Sequence, residues 1–250
     1  MLRNRRIGCS VSGVAQFITN RGLDELKNWL EDGYDVIQDW DSKYSDWFAI
    51  PNSIKTTSVK PSGTVSLLAG ATPGLHYPES RFYIRRVRLS INSELIEPLK
   101  KAGYKIEPAF GSEDSTLVVE VPVDVGEGIR TAGELSIWEQ FSLAAFMQRH
   151  WADNQVSCTV TFDPEKEGEQ IPQVLNYYQY HLKGISLLPR HDYGAYPQMP
   201  YEAIDEKEYN KQLKKLSNLT FGVIKNEEAE IDKFCNNDSC EVPGEEAIKA

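Results

Sequence analysis

The chain has 250 residues, with 27 Lys+Arg against 37 Asp+Glu, a formal charge of −10. General nucleic-acid binding needs a basic surface that neutralises phosphates, so DNA and RNA are not expected partners. Hydrophobic residues make up 40% and aromatics 10%, enough for a core, yet no apolar run approaches the roughly 20 residues that cross a bilayer.

The N-terminal Met1-Leu2-Arg3-Asn4-Arg5-Arg6-Ile7 is charged, with no apolar segment or small-residue cleavage site behind it. A cytoplasmic chain without secretory signal or membrane span is the expectation. Four cysteines are too few for a disulfide scaffold, and a close cytosolic pair more often serves redox or metal chemistry than packing.

Leu23, Leu26, Leu30, Ile37, Trp40, Tyr44 and Trp47 recur at three- and four-residue spacing, which predicts one helix face with a break allowed at Gly33. Residues 54–60 are β-branched and Thr-rich, Pro61-Ser62-Gly63 interrupts them, and residues 64–68 start a helix: strand, turn, helix. Residues 82–90 read as a strand, Asn92 as an N-cap, and Leu95, Ile96, Leu99 and Ala102 as a helix face ending at Gly103. Residues 116–122 form a second clear strand.

Ser136 and Glu139 make a capping box ahead of an apolar run to about Trp151, with Thr131 and Glu134 as a competing start. That helix is apolar nearly all round and is expected to be buried. A strand follows at residues 156–162. Ile171, Val174, Leu175, Tyr178 and Leu182 make a helix with Pro172 in its first turn, which Gly184 ends before a strand at residues 185–188. A last helix covers residues 205–216. Alternating helices and strands favour an α/β architecture with largely parallel strands, as an open sheet or part of a barrel. Residues 225–250 are polar and acidic and read as a mobile tail. The expected organisation is a folded part over residues 1–216 and a tail over 217–250.

Two motifs carry candidate chemistry. Lys60-Pro61-Ser62-Gly63-Thr64-Val65-Ser66 places a glycine and three hydroxyls where a strand gives way to a helix. Free backbone N–H groups and the positive end of the helix dipole make such a turn an anion site. It matches neither G-x-x-x-x-G-K-S/T nor G-x-G-x-x-G, so ordinary turn chemistry remains the competing reading. Cys235-Asn236-Asn237-Asp238-Ser239-Cys240 separates two thiols by four polar or turn-forming residues, which lets the sulfurs meet as a dithiol–disulfide couple. A zinc site competes but lacks a third and fourth ligand in the tail, and two idle thiols are the bland alternative.

Cys9 and Cys158 lie among apolar or β-branched neighbours and are expected in the core. His76, His150, His181 and His191 show no metal-ligand spacing, and no metal site is expected. Arg85, Arg86 and Arg88 on one strand fit a solvated or ion-paired face.

Several stretches resemble the C-terminal part of an adenosylcobalamin-dependent (class II) ribonucleotide reductase, of the monomeric ribonucleoside-triphosphate reductase type. They are Asn4-Arg5-Arg6-Ile7-Gly8, the run from Lys60 to Leu68, Gly74-Leu75-His76-Tyr77-Pro78, Tyr83-Ile84-Arg85-Arg86-Val87-Arg88, Trp151-Ala152-Asp153-Asn154-Gln155-Val156-Ser157 and Gln198-Met199-Pro200-Tyr201-Glu202. Their shared order covers nearly the whole chain.

The resemblance implies the second half of a ten-stranded α/β barrel. It implies that Ser62, Gly63, Thr64, Val65 and Ser66 hold the phosphates of a ribonucleoside triphosphate. It also implies that Cys235 and Cys240 re-reduce an active-site disulfide and are themselves reduced by thioredoxin. In the family, homolysis of the cofactor's cobalt–carbon bond yields a thiyl radical on a finger-loop cysteine. That cysteine and the reducing pair belong to segments expected on an N-terminal reductase portion, a partner without which this chain is not expected to turn over. Residues 241–250 are longer and more acidic than the short end usual in the family. A non-catalytic phosphate-binding or assembly protein derived from the same barrel is the alternative.

Overall fold

A computed structural model describes residues 5–63, 65–190, 197–220, 235–236 and 239–240. In chain order the elements are β1 (Arg6–Ser10), α1 (Val14–Arg21), α2 (Leu23–Trp47), β2 (Lys55–Ser58), α3 (Val65–Leu68), β3 (Phe82–Ser90), α4 (Ile96–Lys101), β4 (Lys105–Pro108) and β5 (Thr116–Asp124). They continue with α5 (Ile137–His150), β6 (Thr159–Phe162), α6 (Pro164–Glu167), α7 (Ile171–Tyr178), β7 (Ser186–Pro189), β8 (Tyr201–Ala203), α8 (Glu206–Leu213), β9 (Cys235–Asn236) and β10 (Ser239–Cys240). The fold is mixed α/β. It divides into two compact units, Met1–Pro78 with Val125–Asp192, and Glu79–Asp124 with Tyr193–Ala250.

In the first unit β1 pairs with β2 and β6 with β7, both parallel, and a parallel bridge between Val59 and Val156 links the two ladders. Ile137, Phe141, Ala144 and Met147 of α5 are fully buried against Val59, Val156, Val160 and Val174, so the helix read as apolar all round is the spine of this core. Ser136 caps it, its hydroxyl accepting from the Glu139 N–H while the Glu139 carboxylate accepts from the Ser136 N–H. The competing start at Thr131 and Glu134 is also real: it forms its own capping box on a 3-10 turn just upstream.

Helix α2 runs unbroken through Gly33, where an added Cβ would stand 3.5 Å from the Trp151 ring, an ordinary van der Waals contact, so the glycine marks no break. Its predicted face divides. Leu26 and Leu30 are buried, but Trp40, Tyr44 and Trp47 are 44%, 46% and 69% exposed.

The second unit overturns the expectation of largely parallel strands. Its four-stranded sheet has the order β4-β5-β3-β8 and every pair is antiparallel. Alternation of element types does not fix strand direction. The six-residue α4 lays Ile96 on Leu89 and Val119 and carries the chain across to β4, which runs parallel to β3 with the antiparallel β5 inserted between them. Asn92 is not the N-cap of α4 either. Leu95 holds that position without a side-chain bond, and the turn before it is closed by Ser90 Oγ and Ser93 Oγ, which accept from the Asn92 and Leu95 N–H groups.

Arg86 is ion-paired as expected, whereas Arg85 and Arg88 are buried and not on a solvated face. Arg86 bridges Glu120 and Glu202, Lys105 joins Glu120 at 3.0 Å, and Arg85 donates to the Pro200 carbonyl while lying over the Tyr201 ring.

Candidate phosphate turn and cysteine pair

Strand β2 delivers the chain to the turn from inside the core. Thr56, Thr57 and Val59 are fully buried; the Trp151 indole N–H donates to the Ser58 carbonyl and the Ser157 N–H to that of Val59. Asp153 anchors the start of the strand, its carboxylate accepting from the Thr56 N–H at 2.8 Å, the Thr56 hydroxyl and the Tyr34 hydroxyl. Burial opposes ionisation of Asp153, but these donors and Lys55 outweigh it and hold its pKa below the usual carboxylate value.

After Lys60, whose N–H donates to Ser10 Oγ, the backbone turns through Pro61, Ser62 and Gly63 into α3. Ser62 has φ 54°, a left-handed conformation uncommon outside glycine, and its carbonyl accepts from the Ser66 N–H at 3.0 Å. Val65 is 67% exposed, whereas Ser66 is buried, and its hydroxyl has no hydrogen-bond partner among the described residues. Ser62, Gly63, Val65 and Ser66 therefore share one tight turn at the surface of the first unit; Thr64 lies outside the described residues.

The loop that follows is clamped from three sides. Gln16 on α1 accepts from the Thr72 N–H and donates to the Gly70 carbonyl; the Gly13 and Val14 N–H groups donate to Thr72 and Gly74. Gly74 has φ 51°, and a Cβ there would sit 2.6 Å from the Lys60 carbonyl oxygen, so only glycine lets the loop lie against the turn. His76 completes the clamp. Its Nδ1 lies 3.2 Å from the Pro73 carbonyl and its Nε2 is 3.1 Å from the Thr159 N–H, an arrangement that suits a neutral ring donating from Nδ1. Burial holds the His76 pKa below its ordinary value.

Gln16 and His76 as clamps escaped the sequence reading. A lone glutamine in an amphipathic helix carries no signal, while the Gly-x-His spacing beside the turn was visible but had no assigned partner.

In the tail only the backbone of the cysteine pair is described. Strands β9 and β10 are antiparallel, and their register sets Cys240 opposite Cys235. Residues directly opposed in an antiparallel ladder have Cα atoms about 4.5–5.5 Å apart, within the span a disulfide bridges.

Of the two cysteines expected in the core, Cys158 is buried, and burial pushes its thiol up to about 12. Cys9 is exposed, because all five residues of β1 are exposed at the end of the sheet. Among the described residues no group of three His, Cys, Asp or Glu could hold a metal, and no helix is long and apolar enough to cross a membrane. His191 lies outside the described residues.

Comparison with known proteins bears out the resemblance drawn from the sequence. No family model matches. The chain is 57% identical over 245 residues to the adenosylcobalamin-dependent ribonucleoside-triphosphate reductase of Euglena gracilis, covering 96% of this chain and 34% of that protein. It is 56% identical over 247 residues to the probable enzyme of that name from Dictyostelium discoideum, covering 97% and 32%. Against the Lactobacillus leichmannii enzyme the identity is 34% over 244 residues, covering 86% and 33%.

A crystal structure of a B12-dependent (class II) ribonucleotide reductase superposes with a TM-score of 0.75 at 34% identity, covering 87% of this chain and 34% of that one. The class to which fold and sequence are similar is thus the class II ribonucleotide reductase. More particularly, the relatives are ribonucleoside-triphosphate reductases, and the chain spans about a third of their length.

Proposed function

We propose that this chain is the C-terminal portion of an adenosylcobalamin-dependent ribonucleotide reductase that converts ribonucleoside triphosphates to 2′-deoxyribonucleoside triphosphates. The observation that carries the reading is the 57% identity to the Euglena gracilis reductase across 96% of the chain. In this reading residues 1–216 belong to the second half of a ten-stranded barrel. The parallel ladders β1-β2 and β6-β7, joined through Val59 and Val156, support such a half-barrel.

Ser62, Gly63, Thr64, Val65 and Ser66 receive the substrate's phosphates. A half-buried turn over a buried Ser66 hydroxyl that has no partner among the described residues supports this, since an anion brings the acceptor that a hydroxyl donor lacks. The tail of residues 217–250 carries electrons. A Cys235 or Cys240 thiolate attacks the oxidised active-site disulfide, forming a mixed disulfide and expelling one thiolate. The second tail thiol then displaces the other sulfur, leaving the active site a dithiol and the tail a disulfide, which thioredoxin reduces.

Adenosylcobalamin supplies the radical chemistry in the complete enzyme. In this reading the radical and reducing cysteines lie with the N-terminal portion.

The test combines this chain, the N-terminal portion, adenosylcobalamin, a labelled ribonucleoside triphosphate and a dithiol or thioredoxin. Deoxynucleotide is expected only when both polypeptides are present. Turnover by the isolated chain overturns the reading.

A further inference from the structure

Helix α2 carries an exposed stripe that the phosphate turn and the tail do not use. Trp29, Val36, Trp40, Lys43 and Trp47 follow one another at intervals of seven, four, three and four residues. At about 100° per residue they fall within roughly 40° of one line along the helix, some 27 Å long at 1.5 Å per residue. Trp29, Val36, Trp40 and Trp47 are 65%, 55%, 44% and 69% exposed. Tyr44 and Phe48 widen the lower end: the Tyr44 ring lies 5.3 Å from Trp40, 5.4 Å from Trp47 and 6.5 Å from Phe48.

This is not the face that builds the core. Leu26, Leu30, Asp41 and Ser45 are buried on the flank turned to the first unit. The opposite flank carries the exposed carboxylates Asp32, Asp35, Asp39 and Asp46. Interface cores are rich in Trp, Tyr and Phe, and exposed aromatic patches of this extent mark association surfaces.

We infer that this stripe is the docking face for the N-terminal reductase portion, through an amphipathic segment with an apolar face and a basic flank. The inference rests on the functional reading above and adds where the two portions meet. Two observations choose the occupant. The relatives that match this chain along almost its whole length are about three times longer, so the larger share of the fold is made by sequence outside this chain. The carboxylate row on one side of the aromatic line asks for lysines and arginines on the facing segment. The three-four spacing suits a helix packed at a shallow angle, each ring seating between residues of the facing helix.

The test titrates the 250-residue chain with the N-terminal portion as a separate polypeptide, followed by tryptophan emission and calorimetry. Burial of Trp40 and Trp47 on binding shifts emission to the blue. A Trp47→Ser/Phe48→Ser variant, whose far-UV dichroism should equal wild type because both side chains are about 70% exposed, is expected to bind about 30-fold or more weakly. Asp39→Lys/Asp46→Lys should also weaken binding and flatten its salt dependence, and Tyr180→Ser, distant in sequence and 89% exposed, should change nothing. Wild-type and aromatic variants binding equally would overturn the docking face while leaving the reductase reading intact. No binding by wild type would likewise overturn the docking face, the reductase reading being tested separately by the turnover assay. A concentration-dependent dimer of the chain alone, dissolved by Trp47→Ser/Phe48→Ser, would assign the stripe to a second copy and overturn the inference.

Discussion

Ser66 and His76 show how single side chains divide the work at the turn. The Ser66 hydroxyl is buried with no described partner, so its removal costs the fold little, because deleting an unsatisfied polar atom is close to neutral. If it donates to a substrate phosphate, Ser66→Ala should weaken ribonucleoside triphosphate binding about tenfold, near 1.4 kcal/mol, with the melting temperature unchanged. A loss of stability with unchanged affinity would assign the hydroxyl to packing instead.

His76 acts the other way, through the fold. Burial lowers its pKa below the ordinary 6.5, so the unfolded chain binds the proton more readily than the native one. The neutral ring's contribution is therefore full above about pH 6.5 and is lost as the pH falls below it, when a protonated Nε2 can no longer accept from the Thr159 N–H. Denaturant titrations between pH 5 and 8 should show this slope. His76→Gln, which keeps one donor and one acceptor but does not titrate, should flatten it.

At the scale of elements, α5 concentrates local signals that agree with its packing. Ser136→Ala removes the acceptor for the Glu139 N–H and is expected to cost about 1 kcal/mol, read as a shift of the denaturation midpoint. Glu139 is also tuned by this cap. A hydrogen bond from Arg130, then the Ser136 N–H, lower its pKa to about 2. A lowered carboxylate pKa contributes stability that is present above the unfolded value near 4.5 and disappears as the pH falls toward 2, so Glu139→Gln should remove part of the acid-side loss.

The start of α5, its burial and the strand-turn-helix at Pro61 were legible because they rest on contacts within a few residues. The antiparallel second sheet was not, because pairing β3 with β5 depends on where the chain goes after α4, and hydrophobic period carries no direction. The outward stripe of α2 was misread for a related reason. Leu26 and Trp40 obey one spacing rule, and periodicity does not distinguish a face covered by this chain from one left for another. Cys9 looked apolar in its neighbourhood, yet an end strand leaves it outside.

For the whole molecule the thiols should separate into three reactivity classes, and the functional reading depends on that separation. Thiolate is the reacting species, so Cys158, buried with its pKa pushed up to about 12, should stay unmodified by iodoacetamide at pH 8 until the chain unfolds. Cys9, exposed on β1, should react in the native state. Cys235 and Cys240, opposed in register, should be lost together on mild oxidation as one disulfide and return together with thioredoxin, since two thiols on a short link meet at an effective concentration on the order of millimolar. In the reconstituted enzyme Cys235→Ser should abolish thioredoxin-supported multiple turnover. Single-turnover reduction should survive, because the reducing pair of the N-terminal portion still delivers its two electrons once. Multiple turnover at the wild-type rate by this variant would mean that electrons reach the active site by another route, and the tail would lose its assigned role while the phosphate turn kept its own.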